Sequence, residues 1–71
     1  MTDEDINVLR RLLNNGNEIV WMPDSSTARK VISVGKHVEE GEDDCAIFSN
    51  GEYAALYNCP LSDFVKVERL V

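Results

Sequence analysis

Two cysteines in 71 residues are too few for the disulfide framework that holds together small secreted domains. One histidine leaves a zinc site short of ligands even if both thiols contributed, since structural zinc takes four. No apolar run approaches the length of a membrane span, and the acidic start Thr2-Asp3-Glu4-Asp5 is not followed by the apolar stretch of a signal peptide. Cations are scarce: Lys and Arg number 7 against 13 Asp and Glu, a formal net charge of −6. That balance argues against general nucleic-acid binding, which neutralises phosphates with Lys and Arg. It favours a basic or neutral partner. These absences predict one reduced, cytoplasmic domain over residues 1–71 with no cofactor and no metal.

At 44% hydrophobic and 28% charged the composition is globular. A chain this short buries only a modest core, so a site must lie on the surface or in a shallow groove. Thr2 is placed as an N-cap, with Asp3, Glu4 and Asp5 suited to a helical first turn. Ile6, Leu9 and Leu13, flanked by Val8 and Leu12, recur at helical spacing. Asn14-Asn15-Gly16-Asn17 ends the pattern, Gly16 being suited to a left-handed C′ position. A helix is therefore predicted within residues 2–16.

From residue 18 onward the period becomes two. Glu18 to Met22 and Thr27 to Val34 read as strands around the turn Pro23-Asp24-Ser25-Ser26. Gly35 permits a bend or bulge before Val38, and Glu39 to Asp44 has the composition of a hairpin loop. Asn50-Gly51 lies between Cys45-Ala46-Ile47-Phe48 and Tyr53-Ala54-Ala55-Leu56-Tyr57, the signature of a hairpin with a two-residue type I′ turn. In that register Phe48 faces Tyr53, Ile47 faces Ala54, Ala46 faces Ala55 and Cys45 faces Leu56. Alternation then collects Cys45, Ile47, Ala54 and Leu56 on one side, and Ala46, Phe48, Tyr53, Ala55 and Tyr57 on the other. Pro60 to Asp63 reads as one helical turn and Phe64 to Glu68 as a last strand. The expected fold is α+β: an N-terminal helix, then a small five-stranded antiparallel barrel or strongly bent sheet over residues 18–70.

Short strands in this order, with one helical turn before the last, resemble the Src-homology-3-like small barrels, and the Tudor group among them. Ala28-Arg29-Lys30-Val31-Ile32-Ser33-Val34 is similar to the second Tudor strand. Ala46 to Glu52 is similar to its aromatic hairpin, and Pro60-Leu61-Ser62-Asp63-Phe64 to its closing turn. The resemblance covers roughly Glu18 to Leu70. It implies a barrel and a cage of aromatic side chains for methylated Lys or Arg, cations drawn to π faces. Asn50 stands where an aromatic residue of such a cage would be. Ala55-Leu56-Tyr57-Asn58 is similar to a proline-peptide-binding motif of Src-homology-3 domains, but it comes late in the chain rather than near the start of the barrel.

No nucleophile, base and stabilising donor can be assembled into one catalytic set, so the chain reads as no enzyme. In the predicted register Cys59 falls beyond the partner of Cys45, too far for a disulfide. His37 reads as an ordinary loop or strand-end residue. Acids from Glu39 to Asp44 lack the alternating ligand spacing of a calcium loop and read as a solvated loop or as a rim for a basic partner. The expected binding residues are Trp21, Phe48, Tyr53 and Tyr57 as apolar anchors, with Glu39, Glu40, Glu42, Asp43 and Asp44 around them. An equal alternative is that the helix covers the Phe48–Tyr53 face, since Leu9, Leu12 and Leu13 also need burial. The function expected is a non-enzymatic module that binds a protein or peptide, of a size and composition that also fit a phage- or mobile-element-type regulator or inhibitor. Rival readings are a nucleic-acid-binding barrel using Arg29, Lys30, Lys36 and Lys66, a homo-oligomer, and an accessory subunit of an enzyme.

Overall fold

A computed structural model describes residues 1–67. The tail of the predicted last strand at Glu68 and the predicted end of the β region at Leu70 lie outside the described residues. Helix α1 spans Asp3–Asn14. Its start is a capping box: Thr2 Oγ1 accepts from the Asp5 amide at 3.2 Å and the Asp5 carboxylate accepts from the Thr2 amide at 3.4 Å. Its end is a Schellman arrangement. Gly16, at φ +85°, donates to the Leu13 carbonyl at 3.0 Å, and Asn17 donates to that of Leu12 at 3.1 Å. Both ends use the residues that the sequence marks for them.

The strands are β1 (Glu18–Asp24), β2 (Thr27–Lys36), β3 (Asp44–Phe48), β4 (Tyr53–Ala55) and β5 (Phe64–Val67). They form one antiparallel sheet in the order β4-β3-β2-β1-β5. Short 3-10 turns occupy Val38–Glu40, Leu56–Asn58 and Leu61–Asp63. The last of these is the helical turn predicted before the final strand. The α+β class and five-stranded antiparallel sheet are as expected, but the sheet does not close into a barrel. Closure would require its two edges to pair, and among the described residues those edges are β4, with 3 residues, and β5, with 4. Helix α1 closes the core instead, laying Ile6 and Leu9 against Ile19, Val31, Ala46, Phe48 and Leu56. Burying each large aliphatic in this way contributes about 1.5–3 kcal/mol. No helix among the described residues is long and apolar enough to cross a membrane.

Two local irregularities differ from expectation. The β2–β3 register slips between Val31 and Ser33, leaving Ile32 as the extra residue, while Gly35 pairs regularly with Cys45. The bend thus sits three positions before the glycine that would permit it. More consequential is the Asn50-Gly51 hairpin. Its observed pairs are Ile47 with Tyr53, Ala46 with Ala54 and Cys45 with Ala55, one residue off the predicted set. The Gly51 amide donates to the Phe48 carbonyl at 3.0 Å and the Phe48 amide to the Glu52 carbonyl at 2.9 Å. Gly51 has φ +87°, and among the described residues only glycines have positive φ. Asn50 therefore does not take the left-handed conformation that a type I′ turn demands. The loop is the three-residue form, a type I turn closed by a left-handed glycine. Asn50 stabilises it by accepting the Glu52 amide on Oδ1 at 3.0 Å.

A one-residue slip exchanges the faces of a strand. Phe48 and Ala46 point to the helix, where Phe48 is 1% exposed and its ring stacks on Trp21 at 5.1 Å. Ala54 packs against the same cluster and Leu56 is inside it. Tyr53 pairs with Ile47 and so belongs to the opposite face, because antiparallel partners share a side.

Candidate functional site

The predicted aromatic surface is thereby taken apart. Phe48 is core and cannot be an exposed anchor; the physical cause is the register above together with the helix that covers it. Trp21 packs against the same core. Its Nε1 is buried, with no hydrogen-bond partner among the described residues. The aromatic cage implied by the Tudor resemblance is not assembled, since Phe48 and Tyr53 lie on opposite sides of the sheet.

Of the four aromatic anchors expected, Tyr57 alone is largely exposed, at 54%. It sits in the Leu56–Asn58 turn, where β4 breaks off because Leu56 turns inward to complete burial. Tyr57 borders a groove of about 240 Å³ whose other walls are Met1, Asp3 and Ile6 at the start of α1, Lys36 at the end of β2, and Glu42, Asp43 and Asp44. Four of the expected site residues, Tyr57, Glu42, Asp43 and Asp44, thus come together here. Asp3 joins them from the other end of the chain.

Charges in the groove are unevenly matched. Asp44 accepts both Arg10, at 3.2 Å, and Lys36, at 3.4 Å, and Lys36 Nζ also donates to the Glu42 carbonyl. The Met1 amine points at backbone carbonyls, Cys59 at 2.9 Å and Leu56 at 3.4 Å. Among the described residues no cation pairs with the carboxylates of Asp3, Glu42 or Asp43. Such a wall can accept an ammonium or guanidinium, with the Tyr57 ring available to the aliphatic stem or the cation face.

Glu39 and Glu40 lie elsewhere. Tyr53 OH donates to the Glu39 carboxylate, and its ring stacks on His37 at 3.8 Å. That hydrogen bond to a carboxylate, followed by partial burial, pushes the Tyr53 phenol up to about 12. Glu40 lies close to buried Cys45, whose thiol is pushed up first by burial and then by the Glu40 charge. Burial raises the Cys59 thiol as well. Both cysteines are free and buried, with Sγ atoms directed at the Asp43 and Ala55 carbonyls. Among the described residues no group of three or more His, Cys, Asp or Glu side chains is arranged to hold a metal ion.

The cations named for a nucleic-acid surface are divided. Arg29 pairs with Glu52 at 3.6 Å and Lys36 with Asp44. Lys30 stands opposite Val20 while Arg29 and Lys66 stand opposite Trp21 and Ile19, so alternation sends Lys30 to one side of the sheet and the other two to the opposite side.

Asp3 and Lys36 line the groove, where sequence reasoning placed neither: Asp3 read as a residue of the first helical turn and Lys36 as a cation of the rival nucleic-acid surface. Asp3 and Lys36 reach the groove only through packing of α1 on the sheet, and no local pattern announces that. No family model matches the chain, and comparison with curated proteins and with solved structures finds no match either.

Proposed function

We propose that this chain is a non-enzymatic interaction module that binds a basic segment of a protein partner in the groove between α1 and the Glu42–Asp44 loop. The observation that carries this reading is exposed Tyr57 in one groove with three carboxylates, Asp3, Glu42 and Asp43, that form no ion pair among the described residues. A Lys or Arg side chain would place its charge against Asp3, Glu42 and Asp43 and its stem against Tyr57. Exposed ion pairs contribute roughly 0.2–1 kcal/mol each, so binding of this kind is salt-sensitive and gains specificity from the aromatic anchor. The net charge of −6 adds steering toward a cationic partner. Separation of Arg29, Lys30 and Lys66 on two faces supports a protein partner over a nucleic acid. Two free cysteines support a reducing, cytoplasmic setting, and a regulator or inhibitor is the role that a small acidic binder fits best.

The test is a titration with a fluorescent peptide of alternating Lys and Arg at low and high salt. Binding should weaken several-fold in Tyr57→Ala and in Glu42→Gln/Asp43→Asn, and less in Glu4→Gln/Glu52→Gln, which removes equal charge outside the groove. Equal weakening by both charge pairs, with Tyr57→Ala unchanged, would reduce the interaction to net charge and end the reading.

A second reading has an observation of its own. Ile32 is 56% exposed, and Met22, Val65 and Val67 are also exposed. Val20 pairs with Val65 on β5, so this is the sheet face away from α1. Self-association through it replaces the aromatic self-interface considered from sequence. A sedimentation profile that stays monomeric at millimolar concentration would remove it.

A further inference from the structure

Strand β2 leads into the Val38–Glu40 turn, and the side chain that caps this turn is an imidazole. His37 has extended backbone at φ −123°, ψ 137°, and its Nδ1 accepts from the Glu39 amide at 3.2 Å. Accepting requires the Nδ1 lone pair, so the ring is neutral with its proton on Nε2. The ring lies nearly parallel to that of Tyr53, 16° between planes, and the Tyr53 hydroxyl donates to the carboxylate of the same Glu39. Glu39 is thus held twice, by its amide and by its side chain, and the two groups that hold it are stacked on each other.

We propose that His37 is a proton-operated latch on the acidic loop. A second proton, taken up at Nδ1, converts the acceptor into a donor. Two N–H groups would then face each other, and the Glu39 amide must leave. The groups around the ring set the direction of the exchange. Tyr53 on β4 keeps its attraction for an imidazolium, so the ring stays on the phenol. Glu39 on the turn keeps its carboxylate on the Tyr53 hydroxyl, beside the ring, and Cys45 on β3, near Glu40, is a buried thiol. The backbone contact is therefore the one that is given up, and the Nδ1 proton turns to the Glu39 carboxylate in competition with Tyr53. From the turn the chain passes through Glu40, whose amide donates to the His37 carbonyl at 2.9 Å and whose carbonyl accepts the Asp43 amide at 3.3 Å. The turn that His37 caps leads directly into the Glu42–Asp44 wall of the groove. An imidazole is the side chain suited to such a change between pH 5 and 8. The effect on partner binding rests on the function proposed above; the latch itself is read on the free protein.

The experiment is a pH titration of the uniformly ¹⁵N- and ¹³C-labelled chain from pH 8 to 5. The His37 ring carbons and the Glu39 amide should move with one common midpoint. Amide exchange at Glu39, corrected for its intrinsic pH dependence, should be roughly five-fold less protected below that midpoint, as expected for loss of an N-cap worth ~1 kcal/mol. His37→Asn retains a capping acceptor and cannot titrate, so its Glu39 amide should stay still across the range. A Glu39 amide that ignores the His37 titration overturns the latch. So does an amide that moves equally in His37→Asn, because the carboxylates alone would then be responsible.

Discussion

Phe48→Ala tests the face assignment on which the site depends. Phe48 is 1% exposed, packs in a cluster with Ile6, Leu9, Ile19 and Val31, and stacks on Trp21 at 5.1 Å. Truncating a buried phenylalanine costs about 3–5 kcal/mol, transfer and cavity terms together. At about 0.05–0.15 kcal/mol per residue, a 71-residue domain has a stability of only about 4–10 kcal/mol. The substitution therefore removes between a third and all of it. With a urea dependence of about 1 kcal/mol per molar for a protein of this size, the midpoint should fall by about 3 M or more, or the cooperative transition should vanish. Trp21, the only tryptophan, reports the change directly, since its fluorescence loses the stacked ring as well as the fold. Tyr57→Ala, made at an exposed position, should stay within about 0.5 kcal/mol of the parent. If Phe48→Ala moved the midpoint by less than about 1 M while Tyr57→Ala abolished folding, the hairpin faces would be the other way round and the groove would lose its anchor.

Gly51→Ala should cost about 1–2 kcal/mol through its left-handed backbone alone, because a methyl there would meet nothing within 4 Å. Asn50→Gly should lower the melting temperature, since it removes the Oδ1 acceptor of the Glu52 amide and adds unfolded-state entropy; an unchanged or higher melting temperature would contradict the three-residue loop. In ultraviolet titration the Tyr53 phenol should ionise at about 12 rather than the ordinary 10.0. Its folded value lies above the unfolded one, so the contribution to stability is complete below pH 10 and disappears as pH rises toward 12; Tyr53→Phe should abolish that decline. Cys45 and Cys59, buried and with raised thiol values, should react with a thiol reagent at neutral pH only as fast as the protein opens, and rapid stoichiometric labelling of the native state would refute their burial.

Much of the fold was legible because its signals are local. Thr2 with Asp5, and Gly16 with Asn17, mark the ends of α1 by hydrogen bonds spanning only a few residues, so the sequence could determine them. The change from a period near four to a period of two separated the helix from the sheet, and Pro60 announced the turn before β5. The site was less legible. Glu42, Asp43, Asp44 and Tyr57 were marked as binding residues by charge and exposure patterns, yet they were grouped with Phe48, Tyr53 and Glu39, which serve elsewhere. His37 gave no signal, since nothing in its neighbours reveals that the ring caps a turn and lies on Tyr53.

What only tertiary structure decided came down to one residue of register and one docking event. A two-residue and a three-residue loop are both compatible with Asn50-Gly51. Because strand side chains alternate, the choice between them decides whether Phe48 and Tyr53 share one side of the sheet or lie on opposite sides. Phe48 packs with Ile6 and Leu9, some forty positions away in the chain, and the longer loop sets Ala54 and Leu56 rather than Tyr53 in that same cluster. The same packing brings Asp3 beside Asp43 and Tyr57. The helix covers the open face that a closed barrel would have sealed with its own edges. Local hydrogen bonding set the elements; long-range apolar burial chose which of their faces remained exposed.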